Sequence, residues 1–169
     1  MSDTPLRIEP VSAPFAGEGV TIGLTQPMAR YALRARDPGV LEGLLGLALP
    51  RKIGLIEGQI ACLGPDEWLL RAPLGTRIAA GEGLPVAVTD ISERAVCLTV
   101  QGPRAAQTLM AGCPLDLDRL AVGRATRTLF ETVEIIALHT HQDVFEVEVW
   151  RSFAPWLGLA LERAARDLG

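Results

Sequence analysis

Few residues in this chain have the type and spacing to do chemistry. His139 and His141 lie two apart and would project from one face of a strand, as metal-ligating pairs sometimes do. A closed zinc site needs four ligands and an open one three, and no third ligand stands nearby, so exposed hairpin histidines explain the pair better. Asp90 and Glu93 could form a paired-carboxylate site, yet acidic residues in turns commonly cap neighbouring amides. Ser152 has no histidine and acid arranged to activate it, and its place ahead of an apolar periodic run reads as a helix cap. Arg119, Arg124 and Arg127 form a basic cluster that could meet a carboxylate-rich ligand or a partner's acidic face, and solvated arginines would look the same. Trp68, Trp150 and Trp156 are bulky enough for core or interface; Trp156 is expected in the core and Trp150 is open. Gly-Glu-Gly runs at 17–19 and 81–83 lack the lysine, spacing and flanking helix of a phosphate loop, and no flavin or dinucleotide fingerprint occurs.

The elements that must position these residues centre on 85–116. Val86 and Val88, then Val96, Leu98 and Val100, alternate as half-buried strands do, with Asp90 to Arg94 as the polar break between them. Gly102 and Pro103 should open a helix whose apolar stripe is Ala106, Leu109, Met110 and Cys113. Residues 33–50 repeat that plan: strand residues Leu33 and Ala35, a helix start at Asp37–Pro38, and a stripe of Leu41, Leu44, Leu45 and Ala48. A hairpin follows each helix, one turning at Gly64–Pro65–Asp66 and the other at His141–Gln142–Asp143. The last helix carries Trp156, Leu157, Ala160, Leu161, Ala164 and Leu168 along one side. Ahead of it Phe145, Val147 and Val149 share one strand face and Glu146 and Glu148 the other, so that face should meet water or polar groups. The expected fold class is α+β, built from two related β-β-α-β-type halves at about 20–84 and 85–169 with strands possibly exchanged, preceded by an extended arm at 1–19. Each half alone has too little apolar surface to close a core. The strands before Pro38 and Pro103 should therefore hold equivalent positions, with both helices on the same side of a shared or exchanged sheet.

At 169 residues, 49% hydrophobic and 21% charged, the chain can bury a core without metal or disulfide staples. Cys62, Cys97 and Cys113 are odd in number and sit in apolar segments, the pattern of buried free thiols in a reducing compartment. A net charge of −4 with mixed signs argues against nucleic acid. Neither a spanning segment nor a signal peptide is indicated, so the cytoplasm is the expected location and no membrane partner is expected. By elimination, partner contacts fall to apolar residues the core does not need: Leu6, Ile8, Val11 and Phe15 in the proline-rich arm, with Trp150 and Arg151 at a strand end.

The pieces LGPDEWLL at 63–70, TDIS at 89–92, QGPRAA at 101–106, GCPLDLD at 112–118 and RSFAPWL at 151–157, in this order, resemble the gamma subunit family of heterotetrameric sarcosine oxidase. That family is similar to the folate-binding aminomethyltransferase of the glycine cleavage system, whose fold is built from two such subdomains exchanging strands. The resemblance implies a noncatalytic assembly subunit without a cofactor of its own. Sister alpha, beta and delta subunits would hold FAD, FMN, NAD and tetrahydrofolate and convert sarcosine to glycine and hydrogen peroxide, passing the one-carbon unit to folate. In the aminomethyltransferase the segment matching Gly123 to Leu138 carries a glycine-rich turn with a folate-contacting acid. Here it has no glycine pair, and Glu131 and Glu134 fall in a strand pattern. The rival reading is a free-standing folate-binding protein or one-carbon transferase.

Overall fold

The computed structural model describes residues 14–168. Leu6, Ile8 and Val11 lie outside them. The described part of the arm supplies strand β1 (Phe15–Gly17), paired antiparallel with β2 (Val20–Leu24). The chain continues through β3 (Met28–Ala35), α1 (Pro38–Leu45), β4 (Ile56–Glu57), β5 (Ile60–Gly64), β6 (Glu67–Pro73), β7 (Val86–Asp90), β8 (Ala95–Gln101), α2 (Ala105–Met110), β9 (Arg124–Phe130), β10 (Val133–His141), β11 (Val144–Trp150) and α3 (Ala154–Asp167). These strands form two antiparallel sheets. One runs β1-β2-β8-β11-β10-β9 and the other β4-β5-β6-β3-β7.

Strand alternation decides the layering. In the second sheet Tyr31, Leu33, Trp68 and Leu70 point outward into a core closed by Leu41 of α1, while Arg30, Leu69 and Arg71 point inward. In the first, Val96, Leu98, Val100, Phe145, Val147 and Val149 pack under Leu109 of α2 and Leu157 and Leu161 of α3. Their alternates Cys97, Glu146 and Glu148 face the other sheet. The acidic face of β11 thus meets a second sheet, not bulk water. Small apolar contacts seal one end of this interface, with Ala61, Ala125 and Leu138 buried together.

The strand orders correspond except for β1, which adds a sixth strand at the edge of the first sheet. In each sheet a long strand leads to a helix, a meander returns beside it, and one further strand flanks it. The flanking strands cross over in sequence: β2 precedes β3 yet pairs with β8, and β7 precedes β8 yet pairs with β3. Helices α1 and α2 do not share one side of a sheet. Each covers the outer face of its own sheet, because the inner faces are engaged with one another.

Helix starts follow local chemistry unevenly. Asp37 caps α1 by accepting from Gly39 N at 2.9 Å, with Pro38 in the first turn as expected. The second helix begins later than Gly102–Pro103 suggests, at Ala105, and ends at Met110, so Cys113 is buried beyond it. In α3 Ser152 is not the cap. It sits in a 3-10 turn, Arg151–Phe153, and Phe153 occupies the cap position without a side-chain bond. Helix α1 stops before Ala48, which is exposed.

Gly102 has a structural role of its own. Its φ is 120°, and a Cβ there would overlap the carbonyl oxygen of Gly19 and lie 3.2 Å from Val20 Cα. Gly102→Ala is expected to cost more than the roughly 1–3 kcal/mol of backbone strain alone, because the β1–β2 turn must move. Gly75→Ala, at φ 87° in open space, isolates the strain component. Urea unfolding of both variants checks this: equal losses would mean that the Gly19 contact is not rigid.

Candidate functional site

The polar groups that converge do so between the sheets. Arg30 of β3 donates from Nε to Glu148 Oε2 of β11 at 2.6 Å, and its Nη1 donates to the Met28 carbonyl at 3.0 Å. Both partners of this ion pair are almost completely buried, at 2% and 3% side-chain exposure. Arg71 of β6 donates to Glu146, one step along β11, and its Nη1 lies 3.8 Å from Glu148 Oε1. Two arginines from one sheet therefore meet two glutamates from the other. Burial works against the charge on Arg71, but the Glu146 and Glu148 carboxylates outweigh it and hold the guanidinium above its usual range. Burial foremost, and then the Glu148 charge, push the Cys97 thiol well up, which makes it a poor nucleophile.

Beside this cluster the sheets separate into a cleft of about 280 Å³. Ala32, Leu69, Ile136 and Trp150 are among the residues that line it, with Arg34, Glu67, Arg94 and Arg127 as its charged members and Glu148 touching it from the buried cluster. At the rim Arg127 donates to Glu67, 2.5 Å from Nη2 to Oε1, and Arg34 Nη2 lies 3.1 Å from Glu67 Oε2. The Arg127 hydrogen bond, with the charges of Arg127 and Arg34 adding to it, holds the Glu67 carboxyl below its usual range. A carboxyl depressed in the folded state adds stability above its unfolded pKa and loses it as pH falls through the folded value. Glu67→Gln is thus expected to be less stable than the parent at neutral pH, with the difference closing as pH drops below the reference value of 4.5. Urea titrations from about pH 7 to pH 3 measure this, and a constant difference would remove Glu67 from the acid response.

Several candidates from the sequence resolve into structural roles. His139 holds the Leu120 carbonyl through Nδ1 and stacks on Phe145 with centroids 4.3 Å apart, while His141 is exposed at the hairpin end. Among the described residues no group of three His, Cys, Asp or Glu could hold a metal. Asp90 accepts from Ser92 N at 2.9 Å and from its hydroxyl, and these bonds hold its carboxyl low. Glu93 lies 3.5 Å from Arg151 instead, so the two acids are engaged separately. The arginine cluster also disperses: Arg119 pairs with Asp116, Arg124 donates to the Ile53 carbonyl, and Arg127 crosses to Glu67. Glu131, placed in a strand by its pattern, turns the chain between β9 and β10 with φ 51°.

Of the partner-contact candidates, Phe15 is half-buried against the first sheet's core with the Arg166 guanidinium 5.0 Å from its ring centroid. Trp150 is 38% exposed and carries Arg94 stacked at 4.3 Å. Arg151 Nε donates to the Glu93 carbonyl at 2.9 Å. Trp156, expected inside, is 38% exposed, touching Phe130 edge-on. Trp68 is core.

Two facing sheets with helices outside and crossed flanking strands make an aminomethyltransferase-like fold. Aminomethyltransferase T of the glycine cleavage system from Bartonella henselae shares it with a TM-score of 0.64 at 20% identity, over 88% of this chain and 49% of that one. Within this fold, the chain belongs to the sarcosine oxidase, gamma subunit family, whose model matches residues 34–167. Sarcosine oxidase subunit gamma from an Arthrobacter species is 33% identical over 135 residues, 73% of this chain and 66% of its own length. The subunit from Corynebacterium sp. strain P-1 is 36% identical over 144 residues, covering 75% and 70%. A chain of the heterotetrameric sarcosine oxidase from Corynebacterium sp. U-96, solved with pyrrole 2-carboxylate, superposes with a TM-score of 0.81 at 26% identity, over 91% of this chain and 88% of that one. No helix among the described residues is long and apolar enough to cross a membrane.

Proposed function

We propose that this chain is the noncatalytic gamma subunit of a multi-subunit sarcosine oxidase and acts in its assembly. The carrying observation is the match to a chain of a heterotetrameric sarcosine oxidase over nearly the whole of both chains. In this reading alpha, beta and delta sister subunits carry FAD, FMN, NAD and tetrahydrofolate. The complex demethylates sarcosine to glycine with hydrogen peroxide, transferring the one-carbon unit to folate. The polar groups of this chain support an architectural role, since the buried Arg30–Glu148 pair and the partly buried Arg71–Glu146 pair tie one sheet to the other. Its two halves, about 20–84 and 85–169, are read as a duplication with exchanged flanking strands, supported by the matching sheet orders.

Docking is assigned to the arm at 1–19, through Leu6, Ile8, Val11 and Phe15, together with the rim at Trp150 and Arg151. Trp150 supports this as a half-exposed aromatic at a strand end. The test is co-expression with the sister subunits. The chain alone is expected to be colourless and inactive on sarcosine, and to co-purify stoichiometrically with the complex. Stoichiometric flavin absorbance in the isolated chain, or a complex that assembles with full activity in its absence, would overturn the proposal.

A further inference from the structure

The flanking strands of the two sheets are finished differently. In the first sheet β2 flanks β8, and its outer edge is closed by β1, with Phe15, Ala16 and Gly17 opposite Ile22, Thr21 and Val20. In the second sheet β7 flanks β3 and is the last strand, with no counterpart of β1 among the described residues. Backbone bonds show which of its groups stay open. Residues in an antiparallel ladder turn N–H and C=O to one side and alternate sides along the strand. Ala35 N–H donates to the Asp66 carbonyl at 3.2 Å, toward β6, whereas the Arg30 carbonyl accepts from Ile91 N–H at 2.9 Å, toward β7. Ala32 and Arg34 therefore also serve β7, and their register partners Thr89 and Ala87 point back to them. Val86, Val88 and Asp90 must point outward. Val86 N–H donates to the Leu84 carbonyl at 2.8 Å, but among the described residues no turn or loop backbone group bonds the outward N–H or C=O of Val88 or Asp90.

Open edges are normally blunted by shortness, charge, proline, a bulge or a cover. The other sheet edges follow that rule. Strand β1 has three residues and β4 two, while β9 carries Arg124 and Arg127 and is bonded at its start by the 54–56 segment. Strand β7 runs from Val86 to Asp90 in regular register, with no charge before its last residue. At about 3.3 Å per residue it offers an edge of roughly 17 Å, and three extended residues already suffice to close the equivalent edge of the first sheet. Val86 and Val88 pack half-buried against the second sheet's core, so an added strand with apolar residues on that face would extend the core sideways.

We propose that the outer edge of β7 takes an extended segment of a sister subunit as an added strand, bonded through Val88 and Asp90 and apolar on the face of Val86 and Val88. This rests on the reading of the chain as a subunit of a larger assembly, and adds a docking element to the arm and the Trp150 rim. Amide hydrogen exchange of the full chain is compared alone and assembled with the sister subunits. Alone, Val88 and Asp90 should exchange at least about tenfold faster than Ala87 and Thr89, which bond β3; in the assembly all four should be protected alike. Val88→Pro removes an outward donor at a position where an edge strand tolerates proline, and should weaken assembly about tenfold or more. Ala87→Lys, on an exposed residue, should weaken it in the same way with an unchanged urea midpoint for the free chain, which keeps the test valid should the proline variant not fold. Rapid exchange of Val88 and Asp90 within the assembly, assembly indifferent to Ala87→Lys, or protection produced by pairing of two copies of this chain would each overturn the proposal. Failure of the parent chain to join the sister subunits would overturn the subunit reading and this proposal together, whereas assembly with β7 left open overturns this proposal alone.

Discussion

Glu148→Ala is expected to destabilise the protein by about 3–5 kcal/mol, the cost of leaving one member of a buried ion pair without its counter-charge. The stranded group would be Arg30, 2% exposed and left with the Met28 carbonyl as its side-chain partner. Arg71 keeps Glu146 and is not stranded in the same way. Removing both charges should behave differently: an Arg30→Met/Glu148→Leu double variant is expected within about 1 kcal/mol of the parent, or more stable, because the desolvation penalty of both ions disappears with their attraction. A urea-unfolding double-mutant cycle measures the coupling between them. A loss below about 1 kcal/mol for Glu148→Ala would mean that the Arg30–Glu148 pair is effectively solvated and adds little to holding the sheets together.

This cluster also shows where sequence reading reached and where it stopped. Alternation along 145–149 correctly placed Glu146 and Glu148 on the face away from the helices. The same alternation along 28–35 puts Arg30 and Arg34 opposite Tyr31 and Leu33, and along 67–73 puts Arg71 opposite Leu70. Charges of opposite sign on the inward faces of two sheets were the available signal for an inter-sheet ion cluster. The pairing of β3 with β11 across the interface was not available, since it depends on which sheets face each other. The crossed strands were hidden for a related reason. Asp90 to Arg94 looks like a hairpin turn, and only the pairing of β7 with β3 and of β8 with β2 shows it passing between sheets. Caps were legible where the side chain itself bonds, as at Asp37, and misread at Ser152, where a 3-10 turn intervenes. Trp156 was misplaced because its helix buries Leu157 and Leu161 on a narrower stripe than the apolar positions suggest.

In the second sheet the corresponding anchor is a tryptophan. Trp68 is 1% exposed on β6, packs with Leu33, Leu41 and Leu70, and donates its indole N–H to the Pro50 carbonyl at 2.8 Å. It therefore joins the sheet core to the loop after α1, a segment with little regular structure of its own. Two contributions can be separated. Trp68→Phe keeps most of the apolar volume but leaves a buried carbonyl without its donor, for an expected loss of about 1–3 kcal/mol. Trp68→Ala adds the cavity, and large-to-small changes of this kind cost about 3–5 kcal/mol. If the loop relies on that hydrogen bond, both variants should also raise amide exchange at 47–55, with Trp68→Phe raising it nearly as much as Trp68→Ala despite its smaller global loss. Exchange in that loop that tracks global stability in both variants would show that packing, not the indole bond, holds it to the sheet.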